Sequence, residues 1–173
     1  LLTSSYFMDL AYKPGDFSVI YGGTKSGGQV HVSTDAGANW TGNEDNGGKR
    51  VELAVSPADP AVVYALVCAS NNGLYGIYKS SDSGTSFTQT YDGTVSGQNL
   101  LGWYAGTDSG GQGWYDLAIA ASPSNANTVL IGGVNNWRST DGGTSWNMVN
   151  HWYGGFGAAE VHADKHMLKY RSN

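Results

Sequence analysis

The sequence predicts an all-β fold of repeated, four-stranded antiparallel units, and three observations carry that expectation. An eight-residue pattern, Ser-x-Asp-x-Gly-x-x-aromatic, occurs at residues 33–40, 80–87 and 139–146. A match of that length found three times marks a repeated structural unit. Upstream of each copy, short β-rich apolar runs alternate with Gly, Pro, Asn and Ser, the punctuation of strands and turns. No stretch sustains a 3.6-residue apolar period, so no helix is expected.

Taken in order, the first unit has an apolar run at 7–12, Pro14, and a second run at 17–21 that ends in Gly22-Gly23. The second has 51–55, Pro57 and 62–68. The third has 115–120, Pro123 and 129–131, followed by Gly132-Gly133. A short third run, such as Gly76-Ile77-Tyr78-Lys79, leads straight into each box. Four strands in about 45 residues is the size of one β-propeller blade. The run 62–68 does not alternate, as suits a strand packed on both faces when blades stack.

The expected division is 1–49, 50–113, 114–150 and an incomplete 151–173. This is a partial propeller of about three blades plus the first strand of another. Closed propellers need at least four blades, and the chain opens Leu1-Leu2. It therefore reads as a piece of a longer propeller; an oligomer that completes the ring is the alternative.

The boxes serve as turns. Asp35, Asp82 and Asp141 can accept turn amides; Gly37, Gly84 and Gly143 supply a backbone angle other residues resist; Trp40, Phe87 and Trp146 close each turn by packing. They resemble the Asp-box (bacterial neuraminidase-type) repeat of sialidases, xyloglucan-degrading glycoside hydrolases, sortilin-type receptors and many secreted bacterial propellers. That resemblance implies a box between the third and fourth strands of each blade and an exported protein at the cell surface or outside the cell; no cofactor is expected. Residues from about 113 to 170 are similar to secreted bacterial Asp-box propellers, several described as glycosyl hydrolases. The similarity lies in Trp114-Tyr115-Asp116, Gly132-Gly133-x-Asn135-x-Trp137 and Val161-His162-x-Asp164-x-His166.

Composition removes other classes. Net charge is −5 with only 9 Lys and Arg and no basic cluster, which argues against nucleic acid. No apolar run approaches membrane-spanning length. The single cysteine, Cys68, lies in an apolar run and reads as a buried thiol. The 26 glycines and 12% aromatics suit extracellular polysaccharide-handling proteins.

Ligand-binding candidates follow from spacing. The stretch from Phe87 to Pro123 is far longer than that from Trp40 to Pro57, and long loops of this kind are usually functional. It contains Trp103 and Tyr104; Trp114 and Tyr115 follow, Trp137 sits near a second-to-third strand connection, and Trp152 and Tyr153 occupy the next equivalent loop. These rings either stack on a sugar, with amides meeting its hydroxyls, or plug the channel mouth.

Residues 161–168 are expected to form the inner strand of a fourth blade, with His162, Asp164 and His166 on one face as a candidate metal or acid–base site. The two histidines join Asp116 and Asp164 as catalytic candidates. His162 and His166 would then stand roughly 13–14 Å apart, too far to share one zinc ion easily. A polar network is favoured over a metal, and no metal site is assigned.

Glycoside hydrolysis needs two carboxyls across the bond. The inner-strand acids are Asp9, Glu52, Asp116 and Asp164, and Asp116 with Asp164 is the preferred pair because both lie near the aromatic loops. Aligning the units on their turn prolines puts Asp116 out of phase with Asp9 and Glu52. Sialidase chemistry needs an arginine cluster, whereas only Arg50, Arg138 and Arg171 occur. The xyloglucan-degrading resemblance implies an Asp before Gly27-Gly28, where Thr24-Lys25-Ser26 stands instead.

The sequence therefore favours a non-catalytic module that binds a polysaccharide, a cell-surface glycan or a protein. A secreted glycoside hydrolase is the alternative, and an intracellular assembly factor on the same repeat a third class. The remaining blades of the same propeller are expected as partners.

Overall fold

The computed structural model describes residues 6–42 and 47–171 and shows three antiparallel sheets with no helix among them. Leu1-Leu2, the opening noted above, lie outside the described residues. The first sheet runs β1 (Phe7–Lys13), β2 (Asp16–Thr24), β3 (Val30–Ser33) and β4 (Thr41–Gly42), paired in chain order. The second follows as β5 (Val51–Ser56), β6 (Asp59–Cys68), β7 (Leu74–Ser80) and β8 (Thr88–Asp92). The third comprises β9 (Ala118–Ala121), β10 (Val129–Gly132), β11 (Asn136–Ser139) and β12 (Asn147–His151). To it is added β13 (Ala159–Glu160), which pairs in parallel with Asn150 and His151 of β12.

Strand register aligns the three units. Ile20, Val63 and Val129 each oppose the box serine, Ser33, Ser80 and Ser139. Across the next ladder they oppose Tyr12, Val55 and Ala121. Counting back along the inner strands makes Asp9 equivalent to Glu52 and Ala118, and puts Asp116 level with Arg50. Asp116 is thus two residues out of phase with the other two acids, as the proline alignment indicates.

The sheets stack face to face. Val63, Ala65 and Val67 of β6 pack with Val19, Tyr21 and Val30 of the first sheet. Val62, Tyr64, Leu66 and Cys68 of the same strand pack with Ile119, Val129 and Ile131 of the third and with Leu117 just before it. Both faces of β6 are therefore dry, which accounts for its unbroken apolar run.

Each box joins the third and fourth strands of its sheet. Ser33 Oγ donates to Asp35 Oδ1 and accepts the Gly37 N–H, both at 2.8 Å. Asp35 Oδ1 accepts the Asn39 N–H at 2.8 Å, and Trp40 Nε1 donates to the Gly37 carbonyl at 3.0 Å. The second box repeats this through Ser80, Asp82, Gly84 and Ser86, and the third through Ser139, Asp141, Gly143 and Ser145. The Ser86 hydroxyl and amide beside Asp82 hold its carboxyl down at about 2, and the matching Ser145 bonds hold Asp141 well below the usual range. Gly84 has φ +83°, and a Cβ there would stand 2.9 Å from the Tyr21 ring of the preceding sheet. The box glycine thus serves its own turn and the stacking of its neighbour.

The fourth-unit strand expected over 161–168 is not formed. After β13 the chain runs irregularly from 161 to 171, and Asp164 has φ +70°. A strand persists only with a neighbour to receive its ladder, and this segment instead crosses the open face of the third sheet. The Lys165 N–H bonds the Gly133 carbonyl at 3.4 Å, and the Lys165 ammonium donates to the Val134 and Val161 carbonyls at 2.6 and 3.1 Å.

Candidate functional site

The ends of the sheets opposite the boxes carry the second-to-third strand turns and the fourth-to-first connections. The long connection after β8 is organised by Asn99, a buried residue. Its Oδ1 accepts the N–H groups of Leu74 and Leu101, and its Nδ2 donates to the carbonyls of Asp108 and Gly110. Leu100 and Leu101 anchor the loop in the core between the second and third sheets. Beyond them it presents Trp103 and the exposed Tyr104.

Trp103 meets the loop after β12. The Trp152 ring stands edge-on to it, with centroids 5.8 Å apart, and Trp152 Nε1 donates to the Trp103 carbonyl at 3.0 Å. Asn135 braces both loops: Nδ2 donates to the Gly102 carbonyl at 3.1 Å, and Oδ1 accepts the Trp152 N–H at 3.1 Å. His151, fully buried, lies beneath. Its Nδ1 accepts the Gly155 N–H at 3.1 Å, so its Nε2 carries the proton and donates to the Trp103 carbonyl at 3.0 Å. Tyr153 stacks edge-on against the His151 ring at 4.2 Å. Neither Asn135 nor His151 stood among the sequence-derived site residues; a polar residue one or two positions before a tryptophan in each loop was the available signal.

Trp137 is corrected from platform to core. It is buried among Ile131, Leu117 and their neighbours. Register explains this: Trp137 opposes Ile131 just as Tyr78 opposes Ala65, so both rings face the preceding sheet.

The acids form two groups. Asp116 is buried, and its Oδ2 accepts the Asp164 N–H at 3.3 Å while its Oδ1 has no partner among the described residues. Burial, with the Asp164 carboxylate adding to it, pushes Asp116 up to about 6. His166 lies edge-on to Tyr115 at 4.7 Å and near Asp116. His162 is exposed and turned to the Ala163 carbonyl, so the shared face expected for His162, Asp164 and His166 is absent. The positive φ at Asp164 breaks the alternation such a face requires. Among the described residues no three His, Cys, Asp or Glu side chains gather as a metal would need.

The second group joins Asp9, Arg50 and Glu52. Asp9 Oδ2 accepts the Leu53 N–H at 2.8 Å. Arg50 Nη2 contacts Glu52 Oε1 at 2.6 Å, and its Nη1 donates to the Trp114 and Tyr115 carbonyls, both at 3.1 Å. Burial outweighs the guanidinium and raises Glu52 to about 7. The Trp114 and Tyr115 rings, exposed by 63% and 46%, lie 5.4 Å apart.

Similar chain-trace geometry occurs in known proteins. YCF48 from Cyanidioschyzon merolae superposes with a TM-score of 0.60 at 15% identity, over 87% of this chain and 42% of its own. The GH74 xyloglucanase from Xanthomonas campestris gives 0.56 at 24% identity, over 84% of this chain and 21% of its own. The fold is a β-propeller.

The three sheets are therefore blades. The GH74 enzyme of Niastella koreensis has a TM-score of 0.52 at 26% identity, over 84% of this chain and 18% of its own. In sequence, a xyloglucanase of Hypocrea jecorina (strain QM6a) is 29% identical over 156 residues, 82% of this chain. The chain spans 17% of that relative's length. No family model matches.

Proposed function

We propose that the chain is part of a glycoside hydrolase of propeller type, acting outside the cell or at its surface on a polysaccharide such as xyloglucan. Asp116 is the observation that carries this reading. It is a carboxyl of raised pKa, buried yet with one oxygen unpartnered among the described residues, beside the Asp164 carboxyl and an exposed aromatic pair. A carboxyl kept protonated near pH 6 suits proton donation to a departing glycosidic oxygen. Asp116 gives its proton to that oxygen as the C–O bond breaks, and water adds to the anomeric carbon while losing its proton to Asp164. Trp114 and Tyr115 stack on a sugar beside this pair, and Trp103 with Trp152 extends the rim. The boxes support membership of the Asp-box propellers. Similarity to a xyloglucanase and to GH74 enzymes favours hydrolysis over the non-catalytic module that the sequence prefers.

One observation favours the module. Asp116 binds the backbone of the segment that follows it, as Asp9 binds Leu53 in the next blade, so its carboxyl also has a structural task.

Release of reducing ends from soluble xyloglucan by the purified protein decides between the two. Asp116→Asn and Asp164→Asn should each lower turnover at least about 100-fold while leaving binding intact. Binding without turnover by the unaltered protein would establish the module instead.

A further inference from the structure

We propose that Arg50 is the positioning residue of this glycan rim. From the second blade it fixes the backbone of Trp114 and Tyr115, and so aims the exposed ring pair and the adjoining Asp116. The proposal rests on the reading above for the ligand class and on geometry for everything else.

Residues 114–117 belong to no strand; they bridge the long connection to β9. From their own side they are held by the N–H groups of Tyr115 and Asp116, which both bond the Gln112 carbonyl, at 2.7 and 3.0 Å. The Trp114 and Tyr115 carbonyls are taken by a residue of another blade, Arg50 Nη1 donating to both. The guanidinium is itself locked. Nε and Nη2 both donate to Glu52 Oε1, at 3.0 and 2.6 Å, and the two side chains are each only 15% exposed.

All three nitrogens are therefore used, and the planar fork is oriented before it meets the loop. Such an arrangement is specific to arginine, because a lysine ammonium is a point donor without a fork. The consequence lies in the rings. Trp114 and Tyr115 are 63% and 46% exposed, with each other and His166 as ring neighbours, and a pinned main chain limits the ordering cost of stacking on a sugar. Arg50 also stands at the register position that Asp116 occupies one blade later. The same strand end thus supplies a clamp in the second blade and a carboxyl in the third.

Arg50→Lys keeps the charge and removes the fork. Amide hydrogen exchange at Tyr115 and Asp116 should quicken, and affinity for soluble xyloglucan should fall about tenfold, the loss expected for one charge-assisted hydrogen bond. In a background lacking both rings, Trp114→Ala with Tyr115→Ala, the same substitution should change affinity little, because Arg50 acts through that ring pair; additive losses would overturn the proposal. Glu52→Gln leaves the carbonyl contacts in place but loosens the fork, and should give an intermediate increase in exchange with the melting temperature nearly unchanged. Unaltered exchange in both variants sinks the clamp. If the unaltered protein fails to bind xyloglucan, the glycan reading fails, while the exchange data still decide whether Arg50 holds the loop.

Discussion

The Trp152 indole stands at 78° to that of Trp103, and its N–H closes on the Trp103 carbonyl at 3.0 Å. Two loops separated by a whole blade are thereby joined through one side chain. Trp152→Phe keeps the ring and removes the donor, and should destabilise the protein by about 1 kcal/mol. Urea titration measures this; an unchanged midpoint would mean that the bond contributes nothing.

Trp137 and Trp114 should respond in opposite ways. Trp137→Ala empties part of a core and should cost about 3–5 kcal/mol in unfolding free energy. Trp114→Ala removes an exposed ring and should leave the melting temperature nearly unchanged while weakening xyloglucan binding. Equal stability losses from the two would contradict the placement of Trp137.

Gly84 and Gly15 separate turn strain from blade stacking. Both have positive φ, but a Cβ on Gly15 meets open space while one on Gly84 meets Tyr21 and Val32 at 2.9 Å. Gly15→Ala should cost about 1–2 kcal/mol from backbone strain alone. Gly84→Ala should cost a further 1–3 kcal/mol or so from overpacking. Chemical denaturation of the two variants tests the difference.

Asp116 sets one pH dependence. Its folded value near 6 lies above the ordinary 3.8, so the native state holds the proton more tightly. Its stabilising contribution is full below 3.8 and is lost as pH rises toward 6, and Asp116→Asn should abolish that slope. If Asp116 donates the proton, kcat/KM falls through the same upper limb; a rate indifferent to pH there removes it from that role.

His31 sets the opposite dependence. It is buried with neither ring nitrogen partnered among the described residues, and burial lowers its pKa below the ordinary 6.5. Its contribution is full above 6.5 and is lost as pH falls toward the folded value. Unfolding midpoints measured between about pH 5 and 7 should drop on acidification, and His31→Leu should flatten the curve.

The boxes were legible in the sequence because their bonding is local: Ser80, Asp82, Gly84 and Ser86 satisfy one another within seven residues. The doubly buried β6 was legible for the same reason, since its apolar run needs no distant information. Trp137 was not. Beside Asn135 and Asn136 it looks like loop, and only register against Ile131 shows which way its ring points. The histidine face failed because strand geometry was assumed for residues 161–168, where no adjacent strand imposes it. Asp116 and Asp164 were paired from proximity to aromatic loops; the contact the structure shows between them is the Asp164 N–H on Asp116 Oδ2. Arg50 was invisible as a clamp because its carbonyl partners lie 64 and 65 residues away.

The parallel strand β13 has an effect beyond the site. By pairing with Asn150 and His151, it covers that end of the border against any other polypeptide seeking to lengthen the sheet. The outer strands of the other two sheets, β4 (Thr41–Gly42) and β8 (Thr88–Asp92), each end their ladder, and β8 is the longer margin for such intermolecular recruitment. Self-association under stress should accordingly begin along β8, and a charged or proline residue introduced there would slow precipitation.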